Sequence, residues 1–239
     1  MELNKIYHGD CLQILKQIPD KSIDLIITDP PYDQENTQTG SNSAFSKSFQ
    51  RMNDELSKNG LNINLGVDFC KEVPRLQEKI NIYIWCNKAQ IKQYLDYFLD
   101  ELHCAYDICN WRKPNAPPTF NNKYLTDKEY CLYFRKGGYC NPVDYYHAKT
   151  VWDIPINIKD KEKYKHPTIK PLPIIETLVK NSSKKGDTVL DPFLGSGTTA
   201  VAALKNGRNY IGIEINPKWY EIAQKRVNEG LSQKQLSIL

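Results

Sequence analysis

The apolar run Ile23-Asp24-Leu25-Ile26-Ile27-Thr28 stops at Asp29-Pro30-Pro31-Tyr32. A short Leu/Ile-rich segment ending on a double proline reads as a buried strand that can go no further, because proline has no N–H for a ladder. Each proline also fixes φ at about −65°, so the backbone past the strand is stiff and its carbonyls stay available as acceptors. A carboxylate, a rigid carbonyl and a flat aromatic ring are thus held at a strand's carboxyl end, where open α/β sheets place their ligands. Such a corner suits a flat group bearing an NH2: Asp29 and the Pro30 carbonyl accept its two hydrogens while Tyr32 stacks on its face. The plain alternative is a strand-to-loop turn with an exposed aspartate, and these four residues alone do not separate the two.

A second feature lies near the other end of the chain. Thr188-Val189-Leu190-Asp191 reads as a strand, Pro192-Phe193-Leu194-Gly195-Ser196-Gly197 as a glycine turn, and Thr198-Thr199-Ala200 onward as a helix ending at Gly207. The next strand, Tyr210 to Glu214, ends in an acid, with Asn216 as cap and Pro217 at the first helical position. Glycines let a ligand approach the backbone, a helix N-terminus offers N–H groups, and an acid ending the following strand can accept from ribose hydroxyls. The pattern predicts a nucleoside-cofactor site, against a purely structural glycine turn. Gly195-x-Gly197-x-x-Ala200 with Glu214 about 20 residues on also satisfies the dinucleotide fingerprint, which makes an NAD-dependent oxidoreductase the rival. Asp191 argues against that rival, since a carboxylate there repels a pyrophosphate and pairs with the ammonium of an amino-acid moiety. S-adenosylmethionine carries that ammonium and a ribose, and no phosphate.

Between these features the chain alternates. Ile6-Tyr7-His8 reads as a strand, and Asp10 with Gln13 makes a capping box for a helix with Leu12, Leu15 and Ile18 inward. Residues 33–60 turn polar, and so long a loop leaving the Asp29 corner is expected to be a mobile lid. Asn81 to Cys86 reads as a buried strand, followed by a helix capped by Asn87 and Gln90 that carries Ile91, Tyr94, Leu95, Phe98, Leu99 and Leu102 at helical spacing. Residues 107–111 and 129–134 are an expected antiparallel pair. From 136 to 164 the pattern is irregular, and a helix follows His166-Pro167-Thr168-Ile169-Lys170-Pro171, with Thr168 as cap.

Net charge is +4, yet residues 111–170 hold 12 Lys/Arg against 6 Asp/Glu and 11 of the 26 aromatics. Basic side chains interleaved with aromatics fit a surface that neutralises phosphates and stacks bases, the bland alternative being a solvated lid over a small aromatic core. The seven cysteines form no C-x-x-C pair, so they read as reduced thiols of a cytoplasmic protein rather than a zinc or disulfide framework. No apolar run reaches the roughly 18 residues of a membrane span, and no metal site is expected.

With both sites in hand, the sequence resembles the amino-methyltransferases that modify exocyclic amines of DNA bases, in their β-type permuted arrangement. Asp29-Pro30-Pro31-Tyr32 matches the motif that holds the target amine, and Asp191 through Thr199 the motif that binds S-adenosylmethionine. The resemblance covers about residues 5–32 and 165–228 closely and 80–135 more loosely. It implies a doubly wound, mostly parallel α/β sheet with an antiparallel edge, circularly permuted. It further implies a catalytic half at 1–110, an edge hairpin and target-recognition region at 111–165, and a cofactor-binding half at 166–239. Carried over by position, Asp29, Pro30, Pro31 and Tyr32 are catalytic. Asp191, Pro192, Phe193, Gly195, Ser196, Gly197, Thr198 and Thr199 cradle the cofactor, Glu214 holds its ribose, and Asp10-Cys11 its adenine. His166, Thr168 and Lys170 complete the methionine pocket.

Asp at the first position of the motif is, in that family, mostly associated with the 6-amino group of adenine, and Ser with the 4-amino group of cytosine. Asp29 therefore favours adenine in double-stranded DNA, with cytosine as the alternative and a protein glutamine or RNA as more distant ones. Binding without catalysis sits poorly with two intact motifs. The aromatic amine is a poor nucleophile, and Asp29 is expected to stabilise the positive charge that grows on it. A base inside a duplex must turn out to be reached, with Tyr32 replacing its lost stacking. Trp111, Arg112, Lys113, Lys123, Arg135 and Lys136 are the expected DNA contacts. A homodimer and a cognate restriction nuclease are the further partners the resemblance suggests.

Overall fold

The computed structural model describes residues 1–31, 66–116, 118, 124–156, 158–164 and 169–236, the last six by backbone only. The expected lid at 33–60 lies outside them, as do Tyr32, Lys123, His166 and Thr168. The strands are β1 Lys5–His8, β2 Leu25–Thr28, β3 Ile80–Cys86, β4 Ala105–Arg112, β5 Lys128–Lys136, β6 Val151–Asp153, β7 Thr188–Asp191 and β8 Asn209–Glu214. They form one sheet in the order β1-β8-β7-β2-β3-β5-β4-β6.

Alternation along the strands explains why the sheet is covered on both faces. In β2, Leu25 and Ile27 point into one core and Ile26 into the other; in β3, Tyr83 and Trp85 oppose Ile82, Ile84 and Cys86. Three helices fill the first face: α5 Leu172–Ser182, α6 Thr198–Lys205 and α7 Pro217–Leu236. They contribute Ile174, Ile175, Leu178, Val179, Ala200, Val201, Ala203, Ala223 and Val227. The second face takes α1 Cys11–Leu15, α2 Val73–Leu76 and α3 Ile91–Leu95, the last running on as a wider π turn over Asp96–Glu101. Leu15, Ile18, Val73, Leu76, Tyr94 and Phe98 pack there. This is the doubly wound α/β arrangement expected.

The four pairings that join β1, β8, β7, β2 and β3 to one another are all parallel, as the alternating pattern requires. β1 pairs with β8, His8 beside Glu214, so the two ends of the chain meet at one edge of the sheet. The other edge departs from expectation. The antiparallel pair β4–β5 is present, but only β5 is reversed, because it opposes both β3 and β4. A further strand, β6, then pairs parallel with β4 and forms the edge. It arises inside the stretch read as irregular, where a seven-residue helix α4, Ile158–Tyr164, follows it.

The cysteines are free and, apart from half-buried Cys140, buried. Among the described residues no helix is long and apolar enough to cross a membrane, and no group of His, Cys, Asp or Glu could hold a metal ion.

Candidate active site at the carboxyl edge of the sheet

The register brings the two sequence motifs together. β2 and β7 are direct parallel neighbours, with Ile26 beside Leu190, so Asp29 and the turn after Asp191 leave the same edge of adjacent strands. The Asp29 charge reaches the Asp191 carboxyl. Behind the corner, the Pro31 carbonyl accepts a 3.1 Å hydrogen bond from Gln90 Nε2, at the start of α3. Asn87 and Gln90 bond to each other's backbone N–H, the reciprocal cap their spacing predicts.

Asp29 is paired. Its Oδ2 lies 2.5 Å from the ammonium of Lys170, which is 7% exposed and also lies 3.0 Å from Glu129 Oε2 and 5.1 Å from the centre of the Trp85 ring. Glu129 in turn accepts from Lys113, whose ammonium sits 4.7 Å from the Trp111 ring. Burial pushes the Glu129 carboxyl up, but Lys170 and then Lys113 outweigh it and hold it at about 2. Burial likewise disfavours the Lys170 ammonium, and Asp29 and Glu129 reverse that, keeping it charged. The result is a chain of alternating charge, Lys113–Glu129–Lys170–Asp29. Sequence reasoning missed Glu129, because it stands at the start of its strand and reaches the carboxyl edge of the sheet only because β5 runs antiparallel to β3.

The glycine turn is held from three sides. Gly195 and Gly197 adopt φ of 54° and 83°, which favours glycine at both positions, and a Cβ at Gly197 would stand 3.2 Å from Ala223 Cα. Glu214 accepts from Gly195 N at 2.8 Å through one oxygen and from Asn216 N at 2.7 Å through the other. Each oxygen keeps a lone pair for a hydroxyl. The buried guanidinium of Arg226, from α7, donates to the Ser196 carbonyl, Ser196 Oγ and Thr198 Oγ1. It stacks on Tyr164 at 4.8 Å. Arg226 was not foreseen, since it lies on the helix after the motif.

Asp191 is 4% exposed, and burial pushes its carboxyl up to about 7, with hydrogen bonds from Thr199 and Phe193 N pulling the other way. A buried acid of that kind is a fitting counterpart for an ammonium that arrives with a ligand. Asp10 caps α1 through Leu12 N at 2.8 Å, and Gly9 N donates to the Glu214 carbonyl, which aligns this turn with the end of β8. Burial raises the neighbouring Cys11 thiol to about 12, so it stays protonated and acts as a small apolar surface. Phe193 packs edge-on to Phe69, with ring centres 5.2 Å apart.

The expected DNA contacts separate. Trp111 is buried, its Nε1 donating to the Ile154 carbonyl at 2.7 Å, so it is a core residue here and offers no face for stacking. Arg112 is exposed at the site edge and doubly bonded to Asp153. Lys113 is occupied with Glu129. Arg135 and Lys136 stand opposite Asn81 and Ile80 at the start of β3, because β5 is reversed. They are therefore at the far edge of the sheet and cannot flank Asp29.

A family model described as DNA methylase matches residues 23–225. The type II methyltransferase M2.MboI of Moraxella bovis is 30% identical over 242 residues, covering 94% of this chain and 87% of that protein. The DNA adenine methyltransferase YhdJ of Escherichia coli (strain K12) is 30% identical over 258 residues, covering 95% and 83%. Among solved structures, the crystal structure of the M1.HpyAVI–SAM complex superposes with a TM-score of 0.68 at 28% identity, covering 93% of this chain and 98% of that one.

Proposed function

This chain belongs to the DNA methylase family, and from that premise we propose that it moves the methyl group of S-adenosylmethionine to the exocyclic 6-amino group of adenine in DNA. The observation that carries the reading is the adjacency of β2 and β7, which sets an amine-accepting corner beside a cofactor-type turn on one edge of the sheet. The adenine assignment is supported by Asp29 at the head of its motif and by the E. coli relative, a DNA adenine methyltransferase.

The residues fit the cofactor. Asp191 offers a buried carboxylate to the amino-acid ammonium, Glu214 has acceptor capacity left for the ribose, and the glycine turn leaves room for close backbone approach. Bound there, S-adenosylmethionine supplies an electrophilic methyl on a sulfonium. Asp29 and the Pro30 carbonyl accept the two amine hydrogens, which favours a more tetrahedral nitrogen, and the Asp29 charge stabilises the cation that forms on it. Loss of the amine proton follows, so Asp29 need not be tuned as a strong base. Lys170, assigned to the methionine pocket by resemblance, is in this reading also the counter-ion that orients Asp29.

The substrate is double-stranded DNA, from which the target base turns out to reach the corner, with Tyr32 stacking on it. The description of the Moraxella relative as a type II methyltransferase supports a restriction–modification setting, with a nuclease of the same target as partner. The test is Asp29→Ala: the variant should bind S-adenosylmethionine as the wild type does and transfer no methyl to DNA. A variant with normal turnover would remove Asp29 from the site.

A further inference from the structure

Lys170 cannot be read as a simple counter-ion of Asp29, because its ammonium is shared. It lies 2.5 Å from Asp29 and 3.0 Å from Glu129, two acids that come from different strands, the end of β2 and the start of β5. An ammonium has three hydrogens and one charge, so what Glu129 takes is withdrawn from Asp29. Lys113 closes the chain on the far side of Glu129, which leaves the four groups with no net charge.

That balance bears directly on the proposed chemistry. If Lys170 belonged to Asp29 alone, the tight ion pair would spend the carboxylate's charge before an amine arrived. An acceptor so neutralised holds N–H groups weakly and does little for a cation forming on the nitrogen. We propose that Glu129 is a positioning residue for Asp29: by holding the other side of the Lys170 ammonium, it keeps that cation shared and leaves Asp29 the negative charge that amine capture requires. The inference rests on the methyltransferase reading for its kinetic consequence, and on geometry alone for its electrostatic one.

Several other groups face the cluster. Asp191 on β7 and the thiol of Cys86 on β3 feel the Asp29 charge, the thiol of Cys131 on β5 feels both Lys170 and Asp29, and Lys161 on α4 feels Lys113, Glu129 and Lys170. None of them comes between Lys170 and its two acids. Glu129 is therefore the group whose charge sets how Lys170 is shared, and glutamine keeps its shape and its oxygen acceptor.

The experiment compares the wild type, Glu129→Gln and Glu129→Asp by three measurements. Single-turnover methyl transfer at saturating S-adenosylmethionine and DNA should slow about tenfold in E129Q, the size of a one-unit change in the effective basicity of Asp29. It should recover most of that loss in E129D, which restores the charge on a shorter arm. Calorimetric affinity for S-adenosylmethionine should stay within about twofold in both variants, which separates this role from a collapse of the cofactor site. A carboxyl-carbon NMR titration of Asp29 should give a lower pKa in E129Q than in the wild type. An E129Q rate equal to wild type, an E129D no better than E129Q, or a cofactor affinity that falls with the rate would each overturn the proposal. Absence of methyl transfer by the wild type would instead refute the methyltransferase reading, and the Asp29 titration would still decide the role of Glu129.

Discussion

Replacing Lys170 by methionine keeps the apolar stem and deletes only the ammonium, which leaves Asp29 and Glu129 facing each other across the space it filled. The magnitude follows from the cluster. Glu129 is held at about 2 against an ordinary value of 4.5, which corresponds to about 3 kcal/mol of ion-pair stabilisation at neutral pH, shared between Lys170 and Lys113. Breaking a fully buried pair by removing one partner costs about 3–5 kcal/mol. The two carboxylates keep 23% and 20% of their side-chain exposure, so water recovers part of that and about 2–3 kcal/mol is expected. The pH dependence has a definite sign. A carboxyl depressed in the folded state stabilises the fold above its unfolded pKa, and that contribution is lost as the pH falls towards the folded value. The wild type therefore loses stability from Glu129 between about pH 4.5 and 2, whereas the variant has only the part that Lys113 supplies to lose. Urea unfolding of both proteins, extrapolated linearly, should show a gap of about 2–3 kcal/mol at pH 7 that shrinks to about half by pH 3. A gap that is the same at both pH values, or absent at pH 7, would refute the ion-pair account of this cluster.

Three other outcomes follow from the same geometry. With Asp191 raised to about 7 by burial, affinity for S-adenosylmethionine should weaken up to about tenfold per pH unit below pH 7 and level off above it. Calorimetry at pH 6 and pH 8 reads this, Asp191→Asn should flatten it, and a flat wild-type profile would contradict the role of Asp191. Gly197→Ala forces a Cβ into a φ of 83° and against Ala223, so the fold should lose about 1–2 kcal/mol and cofactor affinity should fall at least about tenfold; full-affinity binding would show that the turn is not the cradle. Replacing Arg135 and Lys136 together by glutamine should leave both DNA affinity and its salt slope unchanged, since they lie at the far edge of the sheet. A slope reduced by about two in a salt titration would mean DNA wraps that edge.

The parallel half of the sheet was legible because its signals are local. Most of its strands are short apolar runs next to Gly, Pro or an acid, and Asn87 with Gln90 and Asn216 hold the backbone N–H groups that their spacing predicts, while Asp10 caps α1 through Leu12 N rather than through the box with Gln13. The β5 side was harder to read because its order depends on partners far along the chain. β6 is three residues long and becomes a strand only by pairing with β4, and nothing local announces it. The direction of β5 decided the rest. It carried Arg135 and Lys136 away from the site and brought Glu129 into it, so a charge count over residues 111–170 could not say which basic residues face the substrate. Arg226 was hidden for a similar reason: it acts on a turn 28 residues upstream, and on a helix surface it looks like any solvated cation.

The central claim is that one edge of this sheet both captures an amine and presents a methyl donor to it. Incubation of the protein with methyl-labelled S-adenosylmethionine and duplex DNA, followed by digestion to nucleosides, tests that claim most directly. The account predicts that the label appears in N6-methyladenosine of the deoxy series and that Asp29→Ala abolishes it. Label in 4-methylated deoxycytidine would overturn the choice of base, and DNA without label would contradict the site itself.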